Sequence, residues 1–155
     1  MTFENIILIL QTVGPFTVLI TVYFLVTELK EQNRVARANA RQNIADSHQK
    51  VALAGMKPIL VTTKIKLRNN EKLSKEENAV YLTYFSVMLR ARENQFYQFK
   101  IGMLDGDEWN AMLISFKTLF KEPKHLEIWD FIKITFAEDF VELVDDQIKQ
   151  SKLYG

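Results

Sequence analysis

Residues 6–26 carry no charged side chain, and of these twenty-one only Gln11, Thr12, Thr17 and Thr21 are polar. As a helix rising about 1.5 Å per residue the run covers about 30 Å, the thickness of a bilayer's hydrocarbon core. Two other readings compete. A core helix of this length would keep a polar face, and none here is wide enough. A cleavable export signal would open with basic residues, whereas the leader holds Glu4 and neither Lys nor Arg. The expectation is a transmembrane helix with an extracytoplasmic stub over residues 1–27, and a cytoplasmic helical domain over 28–155.

Flanking charge sets the orientation. Lys30, Arg34, Arg37 and Arg41 follow the run, and no Lys or Arg precedes it. By the positive-inside rule the amino terminus lies outside and the rest lies in the cytoplasm, as in a single-pass protein of a bacterial inner (plasma) membrane. The Gly14-Pro15 pair predicts a kink or local unwinding in mid-span, since proline removes a helix hydrogen bond and crowds the preceding turn.

Residues 28–54 are rich in Ala, Gln, Glu and Arg and lack Pro and Gly, so the helix is predicted to continue past the membrane. At about 100° per residue, Gly14, Thr17, Thr21 and Glu28 share an arc of about 60°, with Gln11 offered as a further polar member of the span. Lys30, Arg34, Arg37 and Arg41 fall on the opposite side, again within about 60°. Small residues let helices approach closely in lipid. The small-and-polar stripe therefore reads as a helix–helix seam. An alternative is the lining of an oligomeric pore by Gln11, Thr17 and Thr21. The basic stripe suits anionic headgroups, at about 1 kcal/mol per residue near the surface. An ordinary topogenic signal has the same letters.

After Gly55 the periodicity is helical throughout, with no sustained two-residue alternation. Pro58 opens a helix to about Leu67, and residues 68–70 read as a loop. Ser74 with Glu77 forms a capping box for a long helix over 75–101, stopped by Gly102. Asp105 with Glu108 repeats that signature for a helix to Phe120; a short helix over 126–134 follows Pro123, and Thr135 with Glu138 opens the last. Tyr81, Tyr84, Phe85, Met88, Phe96 and Phe99 on the long helix, Trp109, Met112, Leu113 and Phe116 on the next, and Phe140, Leu143, Val144 and Ile148 on the last recur at three- and four-residue steps and are the expected core. Short loops predict an antiparallel bundle, so the fold class is all-α.

Little chemistry is on offer. Twenty basic against nineteen acidic side chains give a net charge of +1, without the basic excess of a nucleic-acid binder. The chain has no cysteine, hence no disulfide, thiolate nucleophile or thiolate metal site. Two histidines supply a zinc site poorly, and no phosphate loop or nucleophile elbow occurs. No cofactor, metal or catalytic residue is assigned, and an enzyme built on Glu93 is the weakest reading. The pointed cluster is Arg90, Arg92, Glu93, Asn94 and Tyr97 on the long helix. Glu93 sits beside the apolar face, where a carboxylate must be paired. A structural ion pair with Arg90 or Arg92 of a packed partner is favoured over a binding site.

Over nearly its whole length the sequence resembles a family of small bacterial single-span membrane proteins without assigned activity. The resemblance is carried by the apolar span and its basic, Asn-rich exit through Asn33, Arg34, Arg37 and Asn39. It continues in Ser74-x-x-Glu77, the run Glu93-Asn94-Gln95-Phe96-Tyr97-Gln98, and the turn Gly102-Met103-Leu104-Asp105 with Trp109. It implies membrane attachment and a helical cytoplasmic domain. The function expected is contact with other proteins, as a homo-oligomeric scaffold or an accessory subunit of a membrane complex, with the lipid bilayer as the other partner.

Overall fold

A computed structural model of the chain describes residues 3–153. Among these, all regular structure is helical: α1 (Phe3–Gly55), α2 (Pro58–Arg68), α3 (Lys75–Lys100), α4 (Gly106–Leu119), α5 (Pro123–Ile132), a 3-10 turn (Lys133–Thr135) and α6 (Glu138–Leu153). The chain divides into two units, Met1–Asn39 and Ala40–Gly155, and the boundary falls within α1. The expected boundary at 27/28 marks the end of the apolar run, a different criterion.

The described part of the first unit is the amino-terminal portion of α1. The helix passes Pro15 unbroken, so the local unwinding expected there is absent. α1 is long and apolar enough to cross a membrane, and none of its most apolar window is buried within the chain.

In the second unit local chemistry sets the helix ends. Proline stands in the first turn of α2 and of α5, where its missing N–H costs nothing. The Ser74–Glu77 capping box is complete, with the Ser74 hydroxyl accepting from Glu77 N at 3.0 Å and Glu77 Oε2 accepting from Ser74 N at 2.7 Å. α2 and α3 each end in a left-handed residue. Asn70 (φ 55°) and Gly102 (φ 74°) follow α2 and α3. The bonds Asn70 N to Leu67 O and Glu71 N to Lys66 O, and Gly102 N to Phe99 O and Met103 N to Gln98 O, are the paired Schellman bonds.

Two expected boundaries move, and one expected cap is not formed. Pro123 begins α5 rather than preceding a later start. α6 opens at Glu138, and Thr135 lies in the 3-10 turn with its hydroxyl on Ile132 O at 2.8 Å, so it is no cap. Asp105 stands at the N-cap of α4, but its side chain makes no capping bond and Glu108 turns elsewhere.

α4 packs chiefly on α6 and α2 on α3, while α3 also meets α4 and α5. Of the expected core, Tyr81, Phe85, Trp109, Met112, Phe116, Phe140, Val144 and Ile148 are buried in one cluster, and Tyr84, Met88, Phe96, Phe99, Leu113 and Leu143 pack against it partly buried. Leu60, Leu89, Phe120 and Trp129 join it. Trp129 stacks edge-on against Phe120 and Phe140, and its indole N–H donates to Asp145 at 2.7 Å, which satisfies the one polar group it buries. Lys66 donates to Glu77 Oε1 at 2.7 Å and ties α2 to the start of α3. That bond, with Ser74 N, holds the Glu77 carboxyl below the usual range.

Candidate functional site

The surface of the apolar run is uncovered: Phe16 is 64%, Leu19 66% and Phe24 65% exposed. Gln11, Thr17, Thr21 and Glu28 are exposed and Gly14 half-exposed, so the predicted seam is not buried within the chain. A Cβ added at Gly14 would meet nothing within 4 Å. The hydroxyls of Thr12, Thr17, Thr21 and Thr27 donate to carbonyls one turn back, at 2.7, 3.2, 2.8 and 2.9 Å. Each is thereby satisfied within the helix, the arrangement a lipid environment requires.

Of the basic stripe, Lys30 is exposed, and Arg34 pairs with Glu31 through two bonds of 2.9 and 2.6 Å. Arg37 is engaged as well. Arg41 gives both its Nε and Nη2 to Glu108 Oε1, which anchors the start of α4 to the end of α1. The stripe is therefore partly neutralised by the protein's own carboxylates.

The polar cluster on α3 separates into two halves. On one side Glu93 accepts from Arg90 Nη1 at 2.7 Å through Oε2 and from Ala137 N at 2.8 Å through Oε1. Arg90 also donates to Thr135 O at 2.5 Å and lies 4.0 Å over the Phe136 ring. Ala137 is the residue before α6, whose third position is Phe140 and has no carboxylate to reach back. Glu93 supplies that missing half of a capping box from another helix. The arginine partner is thus on the same helix as Glu93, and the pair braces the α5–α6 connection. Asn94 and Tyr97 are exposed and make no part of this clamp.

On the other side Arg92 Nη1 donates to Gln95 Oε1 at 2.9 Å and contacts His48 Nε2 at 3.1 Å, while Gln95 Nε2 reaches the same His48 nitrogen at 2.8 Å. Two donors on one ring nitrogen make His48 the neutral acceptor. Burial lowers its pKa, and the Arg92 charge lowers it further. Burial lowers Arg92 as well. These groups line a cleft of about 460 Å³ whose walls come from α1, α3 and α4.

The second histidine is placed just as firmly. His125 Nδ1 donates to Leu119 O at 2.6 Å, Nε2 accepts from the Tyr81 hydroxyl at 2.7 Å, and the ring stacks on Phe85 at 4.5 Å. Burial lowers the His125 pKa and pushes Tyr81 up to about 12. His125 has a partner at each ring nitrogen within the protein, and the pair holds α3 to α5. Sequence reasoning found neither histidine contact, because each joins residues more than forty positions apart. Among the described residues no group of three or more His, Asp or Glu is placed to hold a metal ion. Comparison with protein-family models, with characterised proteins and with solved structures gives no match.

Proposed function

We propose that this chain is a single-pass membrane protein, amino terminus outside, whose cytoplasmic antiparallel helical bundle works by contact with other proteins. It acts as a homo-oligomeric scaffold or as an accessory subunit of a larger membrane complex of the bacterial inner membrane, in line with the family it resembles. One observation carries the reading: an apolar helical face long enough to cross a bilayer, none of which is buried by the rest of the chain. Such a face needs lipid or another helix against it. The Arg34–Glu31 pair leaves the expected orientation intact, since the topogenic rule counts Lys and Arg and is nearly blind to acidic neighbours.

The exposed seam of Gly14, Thr17 and Thr21 supports association through α1. A pore lined by Gln11, Thr17 and Thr21 gains no support of its own, because the threonine hydroxyls are turned onto their own helix. Light scattering on the protein extracted in mild detergent tests the proposal. An oligomer, or a stoichiometric co-purifying membrane protein, is expected. A clean monomer with no companion contradicts it.

A further inference from the structure

The cleft between the carboxy-terminal part of α1, α3 and α4 holds two charges that the protein leaves half-answered. Arg92 is a half-buried guanidinium whose acceptors are His48 and Gln95, both neutral. Among the described residues no carboxylate forms an ion pair with it, and both its bonds leave from Nη1. The Nη2–Nε edge, the edge that grips a carboxylate with two parallel bonds, makes neither of these bonds. A desolvated cation without a counter-ion is costly, and an anion delivered from outside offsets that cost.

Glu108 is the complement. Its Oε1 is taken by Arg41, whereas its Oε2 is buried and has no hydrogen-bond donor. A buried carboxylate oxygen without a donor is an unmet demand for an O–H or N–H. The remaining walls are apolar, with Ile44, Leu104, Ala111 and Met112 among them. A volume of about 460 Å³ lies in the range of small-molecule sites, roughly 300–1,000 Å³.

We propose that this cleft binds a small organic monocarboxylate with an apolar body and a hydroxyl or ammonium donor at its other end. The carboxylate lies on the Nη2–Nε edge of Arg92, the body lies against Ile44, Leu104 and Met112, and the donor is met by the charge of the Glu108 carboxylate. His48 and Gln95 are positioning residues that fix the guanidinium by occupying Nη1. Glu108, already spending one oxygen on Arg41, disfavours a second negative charge on the ligand, which selects a monoanion. The site is independent of how the span is disposed, since every residue named lies in the second unit.

The test uses the full-length protein in lipid nanodiscs, titrated by calorimetry with 6-aminohexanoate and 6-hydroxyhexanoate. 6-Aminohexanamide and 6-hydroxyhexanamide are the controls, keeping body and donor but lacking the carboxylate. Binding of at least one acid with a Kd of about 1 mM or tighter is expected, with its amide at least about tenfold weaker. Arg92→Gln should cost the acid about tenfold or more and leave the weak amide unchanged. Acids that show no heat up to about 10 mM, or acids and amides of equal affinity, overturn the proposal. So does an Arg92→Gln protein with wild-type helical content and undiminished acid binding. Should that variant fail to fold, the acid–amide comparison on the wild-type protein decides alone.

Discussion

Glu93 shows what one side chain can do when its two oxygens are used separately. Oε2 holds Arg90 and Oε1 caps Ala137, forty-four residues away in sequence. Glu93→Ala leaves the Ala137 N–H without its acceptor and Arg90 without its carboxylate, a loss of about 1–3 kcal/mol. Glu93→Gln keeps a neutral acceptor and should cost less. Denaturant unfolding of the full chain in detergent, followed by circular dichroism, measures both; equal stabilities for wild type and Glu93→Ala would contradict the clamp. Gly55 offers a second test at this scale. A Cβ there would lie 2.8 Å from the Tyr84 hydroxyl and 2.9 Å from Lys64 Nζ, so the ring and the ammonium must move. Lys64 also bonds Gly55 O at 3.3 Å and sits over the Tyr84 ring. Because the hydroxyl and the ammonium are the far ends of side chains that can swing aside, Gly55→Ala is expected to cost less than about 1 kcal/mol, read from the same unfolding curves.

At the scale of the element, α1 carries the strongest expectation. If its uncovered seam is a contact in lipid, Gly14→Ile should weaken self-association by blocking close approach, while leaving helical content unchanged. No clash within the chain confuses the result, because nothing lies within 4 Å of a Cβ at that position. Energy transfer between labelled copies in nanodiscs is the measurement; unchanged transfer removes Gly14 from the seam. How much of the elements was legible follows a physical line. The Ser74–Glu77 box and the Gly102 stop were readable because their chemistry is local, within four residues of the helix end they define. Asp105–Glu108 has the same letters and a different outcome, since Arg41, sixty-seven residues away, takes Glu108. Thr135 was a plausible cap by spacing, yet Phe136 is drawn into the aromatic core and Glu93 caps the helix two residues on. Proline at 123 was read as a stop when it serves as a start, the ambiguity inherent in a residue that both ends one helix and fits the first turn of the next. The aromatic stripes survived because burial follows period, whichever partner is met.

For the whole molecule, two histidines couple folding to pH. Both are held neutral, His48 by burial and then by the Arg92 charge, His125 by burial. Their folded-state pKa values lie below the ordinary 6.5. Between those values and 6.5 the unfolded chain binds more protons than the folded one, so stability rises with pH through that window. It is full above about 6.5 and is lost as pH falls from there toward the depressed values. Stability measured from pH 7.5 to 5 should fall on the acid side of about 6.5, and His125→Gln should flatten part of the fall. A flat profile would contradict the neutral assignments. These contacts, like the Arg92–Glu108 cleft, were invisible in the sequence because they are made between helices that only the fold brings together.

Insertion of residues 6–26 in lipid underlies the rest, and the absence of cysteine makes it directly measurable. Single substitutions Glu4→Cys, Val18→Cys and Asn110→Cys, probed with a membrane-impermeant maleimide on intact spheroplasts and after permeabilisation, report the position of each site. The expected result is labelling at position 4 from outside, at position 110 only after permeabilisation, and at position 18 in neither state. Labelling at position 18 in the absence of detergent, or recovery of the protein in the soluble fraction, would contradict the membrane span.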